Sequence, residues 1–212
     1  MTEYSTISGR NRQVEGAVLA GGKSHRMGRD KALLSFGKNT ILEAISEALG
    51  PLVRRVRVLG RGPVTGLATG AIEGLPDLRP GLGPLSGIHT ALATASAEVV
   101  LVAGCDYPFV TTPFLEGLLG ALSAAIDAVI PCPGGIPVAV CGAYRVRCLD
   151  HLESRLDAGE LSVGNFALSI PSLCLDDEAL SALDPSGRSL FNVNTPEDYA
   201  QALQMLESES TT

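Results

Sequence analysis

Apolar positions follow two rhythms along the chain. Short runs, continuous or alternating, read as strands, and longer runs with a period near 3.6 read as helices. Val14 to Ala20 ends in an apolar run directly before Gly21-Gly22, as a buried parallel strand does when it delivers the chain to a loop. Thr40 can cap a helix carrying Ile41, Ala44, Ile45, Ala48 and Leu49, and Gly50-Pro51 stops it. Val53 to Leu59 alternates valine with arginine and predicts a second strand with one polar face, and a short strand is expected around Ala71-Ile72. Pro76 to Pro84, rich in proline and glycine, predicts a structured loop.

Leu85 to Ala95 predicts a helix, and Glu98 to Gly104 is the clearest buried strand. A helix from Pro113 to about Leu122, a strand over Asp127 to Pro131, a β-rich run over Pro137 to Tyr144 and a helix from Arg145 to about Leu156 follow. Ser169 to Leu175 reads as a strand, and a last helix is capped by Thr195, with Pro196 in its first turn and Glu197-Asp198 at its positive end. Alternation of strand and helix over the first 125 residues predicts an α/β fold, one domain with a mostly parallel, doubly wound, Rossmann-like sheet flanked by helices. The expected domain spans 14–207, with tails at 1–13 and 208–212. Ligands of such sheets bind outside the carboxyl ends of the strands.

Composition narrows the function. A net charge of −7 disfavours a nucleic-acid surface, because phosphate backbones are held by clustered lysine and arginine. The five cysteines are odd in number and lack CxxC spacing, which suggests reduced thiols in the cytoplasm and neither a disulfide framework nor a zinc site. No apolar segment approaches the roughly 20 residues of a membrane helix, so a soluble protein without membrane contact is expected. His25, His89 and His151 show no metal spacing, and no motif points to a nucleophilic side chain.

Positive charge is local instead. Leu19-Ala-Gly-Gly-Lys-Ser-His-Arg-Met-Gly-Arg-Asp-Lys31 follows the first strand; its glycines let backbone N–H groups approach phosphate oxygens, while Arg26 and Lys31 can neutralise a triphosphate and His25 could touch one. The alternative is a solvated basic turn. A P-loop is excluded, since the first glycine of GxxxxGK[ST] would fall at Ala17. Asp77-Leu-Arg-Pro-Gly-Leu-Gly-Pro-Leu-Ser-Gly87 can hold donors and acceptors against a base or ribose, or simply connect two elements. Asp106, after the most apolar strand, suits Mg²⁺ held by one carboxylate, waters and substrate phosphates, or else orders its own loop. Asn192 and Asn194, two apart on an extended segment, would face one side and could present amides to a polar ligand, while Thr195 reads as a cap.

In order and spacing, LAGGKSHRMGRDKALL, DLRPGLGPLSGI, LVAGCDYPFV and FNVNTPEDY resemble the signatures of the molybdenum cofactor guanylyltransferases, across nearly the whole chain. That resemblance implies a fold of the nucleotide-diphospho-sugar transferase type and an enzyme that transfers GMP from GTP to molybdopterin and releases pyrophosphate. It implies nucleotide contacts at Leu19, Ala20, Gly21, Gly22, Lys31, Asp77, Gly83, Gly87 and Asp106, with Lys31, Arg26 and Asp106 in catalysis, Asp106 as the Mg²⁺ ligand, and Asn192 and Asn194 facing the molybdopterin. Hand-over of the product to molybdoenzymes or their chaperones is implied by family alone. Two positions depart from the family pattern: Leu59 stands where relatives carry asparagine, and Ile136 precedes Pro137 where they often carry histidine. Cytidylyl or sugar-phosphate transfer on the same fold, and a non-catalytic nucleotide-binding regulator, are the competing readings.

Overall fold

The computed structural model describes residues 13–21, 30–67 and 70–209. The strands are β1 (Val14–Leu19), β2 (Ser35–Phe36), β3 (Asn39–Thr40), β4 (Val56–Leu59), β5 (Val64–Leu67), β6 (Gly70–Leu75), β7 (Val99–Gly104), β8 (Ala128–Pro131), β9 (Cys141–Arg145) and β10 (Ser172–Leu175). The α-helices are α1 (Ile41–Leu49), α2 (Pro84–Ala93), α3 (Thr112–Gly120), α4 (Leu149–Asp157), α5 (Val163–Leu168), α6 (Asp177–Leu183) and α7 (Pro196–Glu209). Eight strands form one sheet in the order β10-β8-β9-β7-β1-β4-β6-β5. The β1, β4, β6 and β7 neighbours run parallel, as do β8 and β10, whereas β9 runs antiparallel to β7 and β8, and β5 antiparallel to β6. No helix among the described residues is long and apolar enough to cross a membrane.

Alternation within the strands divides the apolar residues between two layers. Val14, Val18, Leu101 and Ala103 pack with Ile41, Ile45 and Leu49 of α1 and Phe114 and Leu118 of α3. Ala17, Val100 and Val102 face the other way, onto Leu85, Ile88 and Leu92 of α2, Leu152 of α4 and Phe166 of α5. The chain leaves β1 through α1 towards β4 and returns from β6 through α2 to β7 on the far side of β1. Right-handed crossovers in opposite directions put those two helices on opposite faces and create a switch point at β1.

Register then determines where the cleft lies. Leu19 pairs with Leu59 and with Gly104, and Leu59 pairs with Leu75, so four strands end at one level. Backbone bonds Ala20 N to Leu59 O (3.0 Å), Gly60 N to Leu75 O (2.9 Å) and Cys105 N to Leu19 O (3.1 Å) carry the ladder one residue further. Gly21, Gly60, Asp77 and Asp106 are thereby brought to one rim.

At the other end of the sheet one arginine of the expected polar face of the second strand is buried. Arg57 and Glu15 are both inaccessible to solvent; their ion pair measures 2.8 Å, and Arg54 and Arg55 reach the same carboxylate at 2.5 and 3.2 Å. Burial alone would raise the Glu15 carboxyl, but hydrogen bonds from Arg55 and Ser96 and the charge of Arg57 outweigh it and hold the group below the usual carboxylate range.

Candidate functional site

The rim opens on a cleft of about 690 Å³, lined by Leu19, Gly21, Leu59, Gly60, Asp77, Gly81, Gly83, Pro84, Gly87, Gly104, Cys105, Asp106 and Val140. That volume suits a nucleotide-sized ligand. Its floor is made by backbone approaching backbone. Gly60 sits at φ +87°, and a Cβ there would lie 2.4 Å from the Cα of Gly21, so no other residue lets β1 and β4 end this close together. A Cβ on Gly21, Gly60 or Gly87 would fall within 3.6, 3.6 or 3.9 Å of the Asp77 carboxylate, so any side chain at the three glycines would press on it.

Asp77 is held from behind. Thr90 Oγ1 accepts the Leu78 N–H at 2.9 Å, and the Ser86 hydroxyl donates to Arg79 O, tying the loop after β6 to the first turns of α2. Oδ1 of Asp77 is buried and has no hydrogen-bond partner. Burial pushes the Asp77 carboxyl above its ordinary range, against the lowering effect of the Ser86 hydroxyl and of His89. A buried carboxylate oxygen without a donor costs stability, and a ligand N–H would satisfy it. The α2 N-terminus, with Gly83 at φ +70° and Pro84 in its first turn, opens onto the same cleft and turns the positive end of the helix dipole towards it.

At the opposite wall stands Asp106. Its carboxylate accepts from Lys31 Nζ at 2.6 Å, and the same ammonium donates to Asn194 Oδ1 at 3.1 Å. Lys31 belongs to a 3-10 turn, Lys31–Leu33, capped by Asp30, whose other oxygen pairs with Arg61 at 2.5 Å. Asp106 O accepts the Val193 N–H at 2.8 Å, so the C-terminal segment lies against the end of β7. Val193 is buried between Asn192 and Asn194, whose amides emerge on the near side; Asn192 Nδ2 donates to the Tyr107 hydroxyl at 3.2 Å. Phe36, Phe109 and Phe191 stack edge to face at 4.9 and 6.0 Å and bind the β2-β3 hairpin, the loop after β7 and this segment into one unit. Thr195 is a cap, as expected: its hydroxyl accepts the Asp198 N–H at 3.1 Å while Asp198 accepts the Thr195 N–H at 2.8 Å.

Leu19, Gly21, Asp77, Gly83, Gly87 and Asp106 therefore line one cleft; Lys31 touches Asp106 and brings Asn194 to it, while Asn192 is bonded to Tyr107, next along the chain from Asp106. Ala20 is not among the lining residues, and its N–H is engaged by Leu59 O. Gly22, His25 and Arg26 lie outside the described residues. Leu59 is wholly buried in the α2 layer and borders the cleft, where it can offer apolar surface and no side-chain hydrogen bond. Ile136 is 70% exposed on the β8-β9 connection. Sequence reasoning overlooked Gly60, Arg61 and Tyr107; a glycine directly after a strand was the available signal for the first, and for the arginine there was none.

A family model described as the MobA-like NTP transferase domain matches residues 16–167. The chain belongs to that family. It is 35% identical to a probable molybdenum cofactor guanylyltransferase of Pelotomaculum thermopropionicum over 94% of this chain and 96% of the relative. With a probable molybdenum cofactor guanylyltransferase of Methanothermobacter thermautotrophicus it shares 34% identity over 86% of this chain and 95% of that one. The crystal structure of molybdopterin-guanine dinucleotide biosynthesis protein A from Archaeoglobus fulgidus superposes with a TM-score of 0.76 at 26% identity, covering 92% of this chain and 99% of that one. This family member is thus a nucleotidyltransferase, an enzyme of molybdenum cofactor biosynthesis, with the nucleotide-diphospho-sugar transferase fold.

Proposed function

We propose that the protein transfers GMP from GTP to the terminal phosphate of molybdopterin, with release of pyrophosphate, in the cytoplasm. The observation that carries this reading is the meeting, at Asp106, of Lys31 from the loop after β1 and Asn194 from the segment before α7. One is the donor side of the reaction and the other the acceptor side. Asp77 reads the base: its carboxylate, above a floor of glycine and with Oδ1 unpaired, has two oxygens that match the adjacent N1–H and N2–H donors of guanine. The residues present fit a divalent cation of the Mg²⁺ kind. Asp106 is a hard oxygen ligand, 44% exposed at the cleft, and among the described residues no cluster of three ligating side chains competes with it, so substrate phosphates and water would complete the shell. Mg²⁺ bound there would neutralise charge on the triphosphate.

The acceptor phosphate oxygen, already ionised, attacks the α-phosphorus of GTP in line. The bond from the α-phosphorus to the bridging oxygen breaks, pyrophosphate leaves with the electron pair, and a phosphoanhydride forms. No side chain need become covalently attached. Lys31 and the loop N–H groups offset the developing charge, and Asn192 and Asn194 orient the acceptor. Loss of one such contact should cost roughly 3 kcal/mol, about a hundredfold in rate. The test is pyrophosphate release from GTP with molybdopterin present, for the native chain and for Asp106→Ala and Lys31→Ala. Turnover falling at least a hundredfold in both, with unchanged circular dichroism, supports the reading. Full activity in either variant, or no release by the native chain with any nucleoside triphosphate, contradicts it.

A further inference from the structure

The Lys31 ammonium sits on the one carboxylate that the proposed chemistry assigns to a cation. Its side chain is 11% exposed, and it bridges Asp106 at 2.6 Å and Asn194 at 3.1 Å. The Lys31 charge cancels that of Asp106, so a bare divalent ion arriving there meets an ion pair in place of a free carboxylate and must compete with an ammonium already in contact. A triphosphate changes that balance, because it offers Lys31 another anion and releases Asp106. The main chain of Asn194 stays fixed meanwhile, its N–H held by Asp198 at 2.8 Å, so only the amide group is set free. We propose that Lys31 is an internal stand-in for the divalent cation: in the nucleotide-free protein it competes for Asp106 and ties up Asn194, so that metal binds weakly until the triphosphate arrives, and the acceptor site is completed in the same step. This rests on the reading of Asp106 as the metal carboxylate. It gives the reaction an order, donor before acceptor, and a coupling that must act equally in both directions.

The coupling has an unusual sign. Loss of this lysine should impair catalysis yet tighten the binding of metal alone. Mn²⁺ titrated into nucleotide-free protein and followed by electron paramagnetic resonance reads this without turnover, in the native chain, Lys31→Met, Lys31→Gln and Asp106→Asn. Methionine keeps the length of the buried stem, and glutamine serves should methionine unfold the loop. Lys31→Met should bind Mn²⁺ about three- to tenfold more tightly than the native chain, the strength expected of a partly exposed ion pair, and Asp106→Asn should bind weakest. A non-hydrolysable GTP analogue should then enhance Mn²⁺ binding more in the native chain than in Lys31→Met. If both lysine variants bind Mn²⁺ no better than the native chain while Asp106→Asn loses it, the stand-in role is refuted and the metal reading stands. If Asp106→Asn binds Mn²⁺ as well as the native chain, the metal reading itself fails and the inference with it.

Discussion

Asp77→Asn sets stability and function against each other at one position. In the ligand-free protein Asp77 Oδ1 is buried without a donor, and burial raises the carboxyl above its ordinary range. The sign follows from linkage. A carboxyl whose folded-state pKa is raised binds its proton more tightly folded than unfolded, so it imposes nothing well below the unfolded value, near pH 4, and its full penalty above the folded one. Asparagine, neutral throughout, should therefore stabilise the apo protein at pH 7. An unsatisfied charged oxygen costs roughly 1–3 kcal/mol; the residue is partly exposed and solvent screens it, so about 1 kcal/mol is expected, or roughly 2–4 °C in Tm. The same change deprives guanine of a charged acceptor and puts an N–H donor opposite a donor, so GTP affinity should fall by roughly 10- to 100-fold. Thermal unfolding of both proteins from pH 4 to 8, with calorimetric GTP binding at pH 7, measures the two effects together. A lower Tm in Asp77→Asn at pH 7, or a gain that does not shrink towards pH 4, would refute the argument from burial. Undiminished GTP binding would remove Asp77 from base recognition.

Two further substitutions test the scaffold. Gly60→Ala would place a methyl 2.4 Å from one backbone atom of Gly21 and 2.7 Å from another, and should cost about 2 kcal/mol of stability together with most nucleotide affinity. Gly159→Ala, at φ +74° with nothing within 4 Å and away from the cleft, serves as the strain-only control and should retain binding. Glu15→Gln should cost about 3 kcal/mol at pH 7, because it leaves Arg57 buried without its counter-ion. Since the Glu15 carboxyl is held below its usual range, its contribution is present above the unfolded pKa and lost as pH falls through the folded one; the difference in Tm between the two proteins should shrink below about pH 4.

Much of this architecture was legible where one local force dominates. Val99–Gly104 is buried on both faces and reads as an unbroken apolar run, and Asp106 stands out because it ends that run. Thr40 with Glu43, and Thr195 with Asp198, make capping boxes within four residues, so both helix starts could be read locally. Alternation around Val53–Leu59 was also visible, but its meaning depended on distance. Arg57 faces the α2 layer, and distant partners make it tolerable there: Glu15, 42 positions earlier, supplies the counter-charge, and Ala91 O and the Thr94 hydroxyl accept its N–H groups. Elements too short to show a period escaped notice: the β2-β3 hairpin, β5 with its glycine, and the six- and seven-residue helices α5 and α6. The expected helix from Arg145 begins instead at Leu149, after a 3-10 turn over Val146–Cys148. At the site, residue types were readable from the motifs. Contacts such as Lys31 to Asn194, 163 positions apart, were not.

The account stands most directly on one calorimetric comparison: GTP, CTP and ATP, each with and without Mg²⁺, titrated into the native chain and into Asp106→Ala. Binding of GTP in clear preference to the others, strengthened by Mg²⁺ in the native chain and insensitive to it in Asp106→Ala, is the expected result. A preference for CTP would overturn the assignment of guanine to Asp77, and Mg²⁺ dependence that survives in Asp106→Ala would contradict the central claim that this carboxylate is where donor, cation and acceptor meet.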